Sequence, residues 1–284
     1  MKLRTLLFAP GDSQRKAEKA LASQADGVII DLEDSVAPSG KEAARAATAA
    51  MLPQITRPGL VVRVNPRETQ WHLADLAAVV PGRPAAILLP KCTGRHDLEV
   101  LDHHLEALEV ASGHPSGSIG VLALVTETAA SLHGLDYRGA PARLLALCFG
   151  AEDLSADLGI DPRLPDGTYT APIEAARAAV LVAAAAAGIP AVDTPWPDPK
   201  DPAGLARESE RAAQDGFAGK LCIHPAQIDP VNAAFTPAPD RIRWARAVLG
   251  AAAANPGSGV FALEGKMIDR PHLKLAERIL ASAD

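Results

Sequence analysis

Cysteine and aromatic residues are scarce in this 284-residue chain, which has three cysteines and only 4% Phe, Trp and Tyr. Cys92, Cys148 and Cys222 lie far apart with no C-x-x-C spacing, which excludes a disulfide framework and a cysteine zinc site. They are expected to be small buried apolar groups in a reducing compartment. Positive charge is not in excess either: 28 Lys and Arg stand against 34 Asp and Glu, a formal net charge of −6. A nucleic-acid grip resting on general electrostatics is thereby excluded. Long hydrophobic runs are missing. Leu6–Ala9 stops at Pro10 and Gly11, short of the ~7 apolar residues of a secretion signal. The stretch from Ala178 to Val192 is mostly alanine and is broken by Gly188 and Pro190, unlike a spanning segment of ~20 apolar residues. A cytoplasmic protein without membrane association is expected. No G-x-G-x-x-G, Walker or G-x-S-x-G sequence occurs, so dinucleotide, nucleoside triphosphate and serine-hydrolase chemistry lack their usual loops.

What is present is 48% apolar residues, enough for a sizeable core built from Ala, Val, Leu and Ile. Eight short aliphatic runs recur, each followed by a turn and an Ala-rich stretch with helical spacing. They are Leu3–Phe8, Gly27–Leu32, Leu60–Val64, Ala86–Leu89, Ser118–Leu124, Leu144–Cys148, Pro190–Asp193 and Gly219–Ile223. Continuous apolar character, as in Val28-Ile29-Ile30, is what a parallel strand buried on both faces requires; an antiparallel sheet would alternate. Eight β-then-α units without a shift in composition predict an α/β fold of the (β/α)8 barrel type over residues 1–235. Beyond Thr236-Pro237-Ala238-Pro239 the pattern changes. Asp240 is expected to cap a helix through Leu249, and Asn255-Pro256-Gly257-Ser258-Gly259 is a turn signal. Residues 236–284 are expected to form a C-terminal extension without a core of its own, packing on its own or a neighbouring barrel.

Catalytic groups of such barrels sit at the C-terminal ends of the strands. These ends carry Asp31-Leu32-Glu33-Asp34, Arg63-Val64-Asn65, Pro90-Lys91, Glu127, Glu152-Asp153, Asp193-Thr194 and His224, whereas the opposite ends carry mostly small residues. The asymmetry points to an enzyme. Carboxylates dominate, and hard oxygen donors without a His or Cys cluster select Mg2+ or Mn2+. Glu127 and Asp153, 26 residues apart, fall about one β/α unit from each other and can share a cation. Alternatively, both favour helix N-termini through the macrodipole. Arg63 either grips a substrate carboxylate and stabilises an enolate, or pairs with Asp31, Glu33 or Asp34; the two are compatible. Glu33 and Asp34 would then order Arg63 and metal-bound waters without being ligands. His103-His104 is expected on a solvated face, His72, His96 and His114 in loop or helix-edge surroundings, and His224 in a structural hydrogen bond.

Taken together, Leu6-Leu7-Phe8-Ala9-Pro10-Gly11-Asp12-Ser13, Asp31-Leu32-Glu33-Asp34-Ser35-Val36, Arg63-Val64-Asn65, Leu89-Pro90-Lys91, Glu127-Thr128, Gly150-Ala151-Glu152-Asp153-Leu154 and Gly219-Lys220-Leu221-Cys222-Ile223-His224-Pro225 resemble the citrate lyase beta-subunit-like family, related to malyl-CoA and citramalyl-CoA lyases. The resemblance runs in order from Leu3 to the end of the chain. It implies a barrel lyase in which Glu127 and Asp153 hold Mg2+ and Arg63 faces the substrate. The implied reaction cleaves or forms a carbon–carbon bond in a 3-hydroxyacyl-CoA thioester, giving acetyl-CoA and a 2-keto acid. Glu264-Gly265-Lys266-Met267-Ile268-Asp269-Arg270-Pro271 resembles the segment in which related lyases deliver an acidic proton carrier from a neighbouring subunit, with Asp269 in the acidic position. Otherwise Asp269 is a surface carboxylate paired with Lys266 or Arg270. A homo-oligomer, a trimer by the resemblance, follows. Malyl, citramalyl, methylmalyl and citryl thioesters differ only by a methyl or carboxymethyl group, so the acid stays open, as does a role as a thioester-binding subunit without turnover or as a thioesterase or aldolase.

Overall fold

A computed structural model describes residues 1–257 and 259–283. Ser258, within the expected turn, and Asp284, the last residue of the expected extension, lie outside the described residues. The chain divides into two compact units, the first running from Met1 to Asn232 and the second starting at Ala233.

The first unit is a closed barrel of eight parallel strands in sequence order. The strands are β1 (Thr5–Pro10), β2 (Gly27–Asp31), β3 (Leu60–Arg63), β4 (Ala86–Leu89), β5 (Gly120–Leu124), β6 (Leu144–Cys148), β7 (Ala191–Asp193) and β8 (Gly219–Cys222). All eight aliphatic runs are strands, two with the expected bounds and the rest with ends shifted by at most two residues. Helices α1 (Gln14–Leu21), α2 (Lys41–Met51), α3 (His72–Val79), α4 (Arg95–Ala111), α5 (Ala129–Leu132), α6 (Ala151–Leu158), α7 (Ala171–Ala187), α8 (Pro202–Asp215) and α9 (Ile228–Phe235) follow the strands. Every strand contributes to one apolar cluster, through Leu6, Ile29, Val61, Leu88, Leu122, Ala146, Val192 and Leu221. Small and branched aliphatic side chains fill the narrow barrel, with Phe8 packed against them. The barrel closes between β1 and β8, where a Cβ on Gly219 would lie 1.7 Å from the Leu3 carbonyl oxygen. Only glycine permits that approach. Cys92, Cys148 and Cys222 are buried and unpaired, as expected. Among the described residues no helix is long and apolar enough to cross a membrane.

The second unit contains α10 (Pro239–Ala254), the antiparallel pair β9 (Val260–Leu263) and β10 (Lys266–Asp269), and α11 (Arg270–Ala283). Two expectations are corrected here. Ala238, not Asp240, is the N-cap of α10, because Pro239 takes the first helical position where its missing N–H costs nothing; the helix also continues past Leu249. The segment does hold an apolar core of its own: Ala245, Val248, Ile268, Ala276 and Ile279 are buried together, with Trp244, Phe261 and Leu273 against them. Two amphipathic helices and a hairpin supply three apolar faces, which length alone does not reveal.

Candidate active site

The loop after β2 is built around a buried guanidinium. Asp31 and Arg63 are register partners at the ends of β2 and β3. Arg63 Nε and Nη2 donate to the two Asp31 oxygens at 2.7 and 2.8 Å. Its Nη1 lies 2.9 Å from Glu33 and 3.6 Å from Asp34, so all three carboxylates expected as partners are engaged. The Phe8 ring stacks 4.8 Å from the guanidinium carbon. Burial alone would lower the pKa of Arg63, but the hydrogen bonds and charge of Asp31 outweigh it and keep the group charged. The backbone of the loop is pinned by Lys41, whose Nζ donates to the carbonyls of Leu32 and Glu33 at 2.9 and 2.7 Å, and by Asn65 Nδ2 at 2.9 Å from the Leu32 oxygen.

Glu127 stands three residues beyond β5 and is 3% exposed. One of its oxygens accepts the backbone N–H of Lys91. Burial, then the negative charge of Glu33, with Asp153 adding to it, pushes the Glu127 carboxyl up to about 8. A Cβ on Gly150 would crowd the Glu127 side chain at 3.0 Å, so glycine leaves that carboxyl room. Gly150 N–H donates to Thr126 Oγ1 at 3.0 Å and Ala151 N–H to Thr194 Oγ1 at 3.2 Å, tying the start of α6 to the ends of β5 and β7. Asp153 lies half-buried in the first turn of α6. The helix-cap alternative holds for neither carboxylate as a cap: Thr128 caps α5, accepting the Ser131 N–H, and Gly150 is the N-cap of α6.

Glu33, Asp34 and Glu127 bring one oxygen each within 4.8 Å of one another. Asp153 stands outside that group, although its charge reaches Glu127. The donors are all oxygens and no His or Cys joins them, a set that suits a hard divalent cation such as Mg2+. Glu33 and Asp34 thus stand with Glu127 in one carboxylate cluster, and Asp153 bears on it through its charge.

Lys91 is the residue that sequence reasoning passed over, noted at a strand end but given no role. Its ammonium is 2.5 Å from Glu33 and 3.9 Å from Asp34. His72 stands at the edge of α3 as expected, buried with its Nδ1 2.8 Å from the Asn65 carbonyl; one histidine expectation needs correction, since His104 is half-buried with its ring 6.4 Å from that of His72, because the start of α3 folds against α4. His224 accepts the Ala226 N–H at 3.2 Å, the structural hydrogen bond anticipated. In the second unit Asp269 pairs with neither Lys266 nor Arg270; its Oδ1 lies 2.6 Å from His272 Nδ1.

The chain is similar to known proteins along nearly its whole length. The citrate lyase subunit beta of Escherichia coli strain K12 is 35% identical, the match covering 99% of this chain and 93% of that protein. The (3S)-malyl-CoA thioesterase of Cereibacter sphaeroides strain ATCC 17029 is also 35% identical, over 99% and 94%. Protein CitE from Mycobacterium tuberculosis, crystallised with magnesium, acetoacetate and coenzyme A, superposes with a TM-score of 0.77 at 34% identity, covering 99% of this chain and 98% of that one. Residues 4–225 match the HpcH/HpaI aldolase/citrate lyase family. An eight-stranded barrel with carboxylates and an arginine gathered beyond its strand ends, together with similarity along the whole chain, makes the protein a member of the HpcH/HpaI aldolase/citrate lyase family.

Proposed function

We propose that the protein is a Mg2+-dependent carbon–carbon lyase that cleaves or forms a 3-hydroxyacyl-CoA thioester such as malyl-, citramalyl- or citryl-CoA, the products of cleavage being acetyl-CoA and a 2-keto acid. The observation that carries this reading is the oxygen-donor cluster around Glu127 beside the buried, permanently charged Arg63. Glu127 and Asp153 would hold the cation, with Glu33 and Asp34 ordering Arg63 and bound water. When bound, Mg2+ supplies Lewis acidity and a template for the acid's carboxylate and adjacent oxygen. Arg63, held by Asp31, directs a fixed positive charge toward the negative charge that grows as the bond breaks. Asp269 would carry the proton to or from the acetyl carbon, supplied by a neighbouring copy in a homo-oligomer, a trimer.

A cavity of about 390 Å3, room for part of a CoA ester, opens beside Phe8, whose ring stacks on Arg63. It runs from Phe8 and Pro10 at the end of β1 to His224 beyond β8, and α1 presents the exposed cations Arg15, Lys16 and Lys19 to it. These suit the phosphates of a CoA ester. The test is to incubate the purified protein with each thioester and measure acetyl-CoA and keto acid separately. The lyase reading expects both, dependent on Mg2+ and lost in Glu127→Ala and Asp153→Ala. A second reading is favoured by the similarity to a malyl-CoA thioesterase: hydrolysis would release free CoA thiol and the hydroxy acid, with no keto acid.

A further inference from the structure

Among the described residues three non-glycine residues have a positive φ: Arg83, Lys91 and Glu264. Arg83 closes the short turn Val80–Gly82, and Glu264 precedes Gly265 in the β9–β10 hairpin, both ordinary homes for a left-handed residue. Lys91, at φ 50°, lies at neither a helix end nor a hairpin; it follows β4 at the catalytic end of the barrel. Side chains enter this conformation only at a cost, so surrounding contacts must hold it there. Those contacts are with the acidic cluster. The Lys91 amide donates to Glu127, and its ammonium binds Glu33, which also meets Arg63. One residue thus touches two of the clustered carboxylates through two different groups.

We propose that Lys91 is a positioning residue whose left-handed backbone turns its N–H onto one oxygen of Glu127 and leaves the other oxygen as the one ligand atom Glu127 offers the cation. The ammonium keeps Glu33 on the Arg63 side of the cluster. This inference rests on the reading of Glu127 as a ligand. It predicts that the backbone conformation at residue 91, and not only its charge, sets metal affinity.

The experiment titrates Mn2+ into the chelator-stripped, substrate-free full chain, with free Mn2+ followed by electron paramagnetic resonance. Lys91→Met and Lys91→Val both remove the ammonium, but the β-branched valine resists a positive φ far more strongly. Lys91→Val should bind Mn2+ about tenfold more weakly than Lys91→Met, and Lys91→Gly, free to adopt this backbone, at least as tightly as Lys91→Met. Melting curves check that each variant folds. Should valine prevent folding, Lys91→Gly against Lys91→Ala makes the same comparison, with glycine severalfold tighter. Equal affinities in folded variants overturn the positioning role while leaving Glu127 as a ligand. No Mn2+ binding by the unaltered protein overturns both.

Discussion

A buried carboxyl pushed up to about 8, as at Glu127, stays protonated at neutral pH until a cation takes the place of its proton. The consequence for the metal-free protein has a definite sign. The folded state binds the Glu127 proton more tightly than the unfolded chain, whose carboxyl titrates near 4.5. Rising pH therefore costs stability between about 5 and 8 and changes nothing further above that window. Glu127→Gln should be the more stable of the two at pH 8.5 in the presence of a chelator, by a few kcal/mol (order of magnitude), with the difference vanishing near pH 4. Urea unfolding at the two pH values measures it, and an equal gap at both would show that Glu127 ionises normally. Arg63 allows a second prediction at this scale. Lysine cannot reproduce the two-pronged contact with Asp31 and the reach to Glu33. Arg63→Lys should lower kcat/KM about 10²-fold, on the order of 3 kcal/mol. Arg63, Glu33, Asp34 and Glu127 were legible because ionisable residues at strand ends stand out against aliphatic runs. Lys91 was not, since its part depends on a backbone angle that no residue type announces.

At the scale of elements, the wall formed by β7, β8, α7 and α8 is held by buried charge. Lys220 is fully buried, with its Nζ 2.9 Å from Asp193 and 2.6 Å from Glu208. Asp193 also accepts from Arg177 Nε at 3.0 Å, and Glu208 from Tyr169 Oη at 3.1 Å. Burial disfavours the Asp193 charge, yet Lys220 and Arg177 outweigh it and hold its carboxyl below the usual range. Lys220→Met should destabilise the barrel by about 3 kcal/mol, because Glu208 and Asp193 keep their charge with one counterion fewer. Adding Glu208→Gln should recover part of that loss, which a urea double-mutant cycle reads directly. Strand existence was legible at this scale from continuous aliphatic runs. The tie between Lys220 and α8 was not, since Lys220 interrupts an apolar strand and finds its partners 12 and 27 residues earlier in the chain.

At the scale of the whole molecule, the proposal that Asp269 serves a neighbouring copy's site makes a prediction of its own. Asp153→Ala and Asp269→Ala should each be inactive alone. Mixed under conditions of subunit exchange, they should regain activity, because some sites then combine an intact Asp153 with an intact Asp269 from another chain. If the residue serves its own barrel, every site in the mixture lacks one or the other and no activity returns. Sedimentation of the mixture confirms that exchange took place.

The order and parallel pairing of the eight strands, the burial of the cysteines, and the gathering of carboxylates and Arg63 at one end were determined by the sequence itself. Each depends on periodicity or residue type within a few positions of the chain, which local physics reads without knowledge of the rest. Two matters were decided only by tertiary structure: the apolar core of the C-terminal unit, and the arrangement that sets Lys91 between Glu33 and Glu127. The last depends on closing the barrel, which brings residues 33, 91 and 127 to one rim from three separate strand ends. A few ångströms there settle which carboxylate meets which cation, and only the packed backbone sets distances that fine.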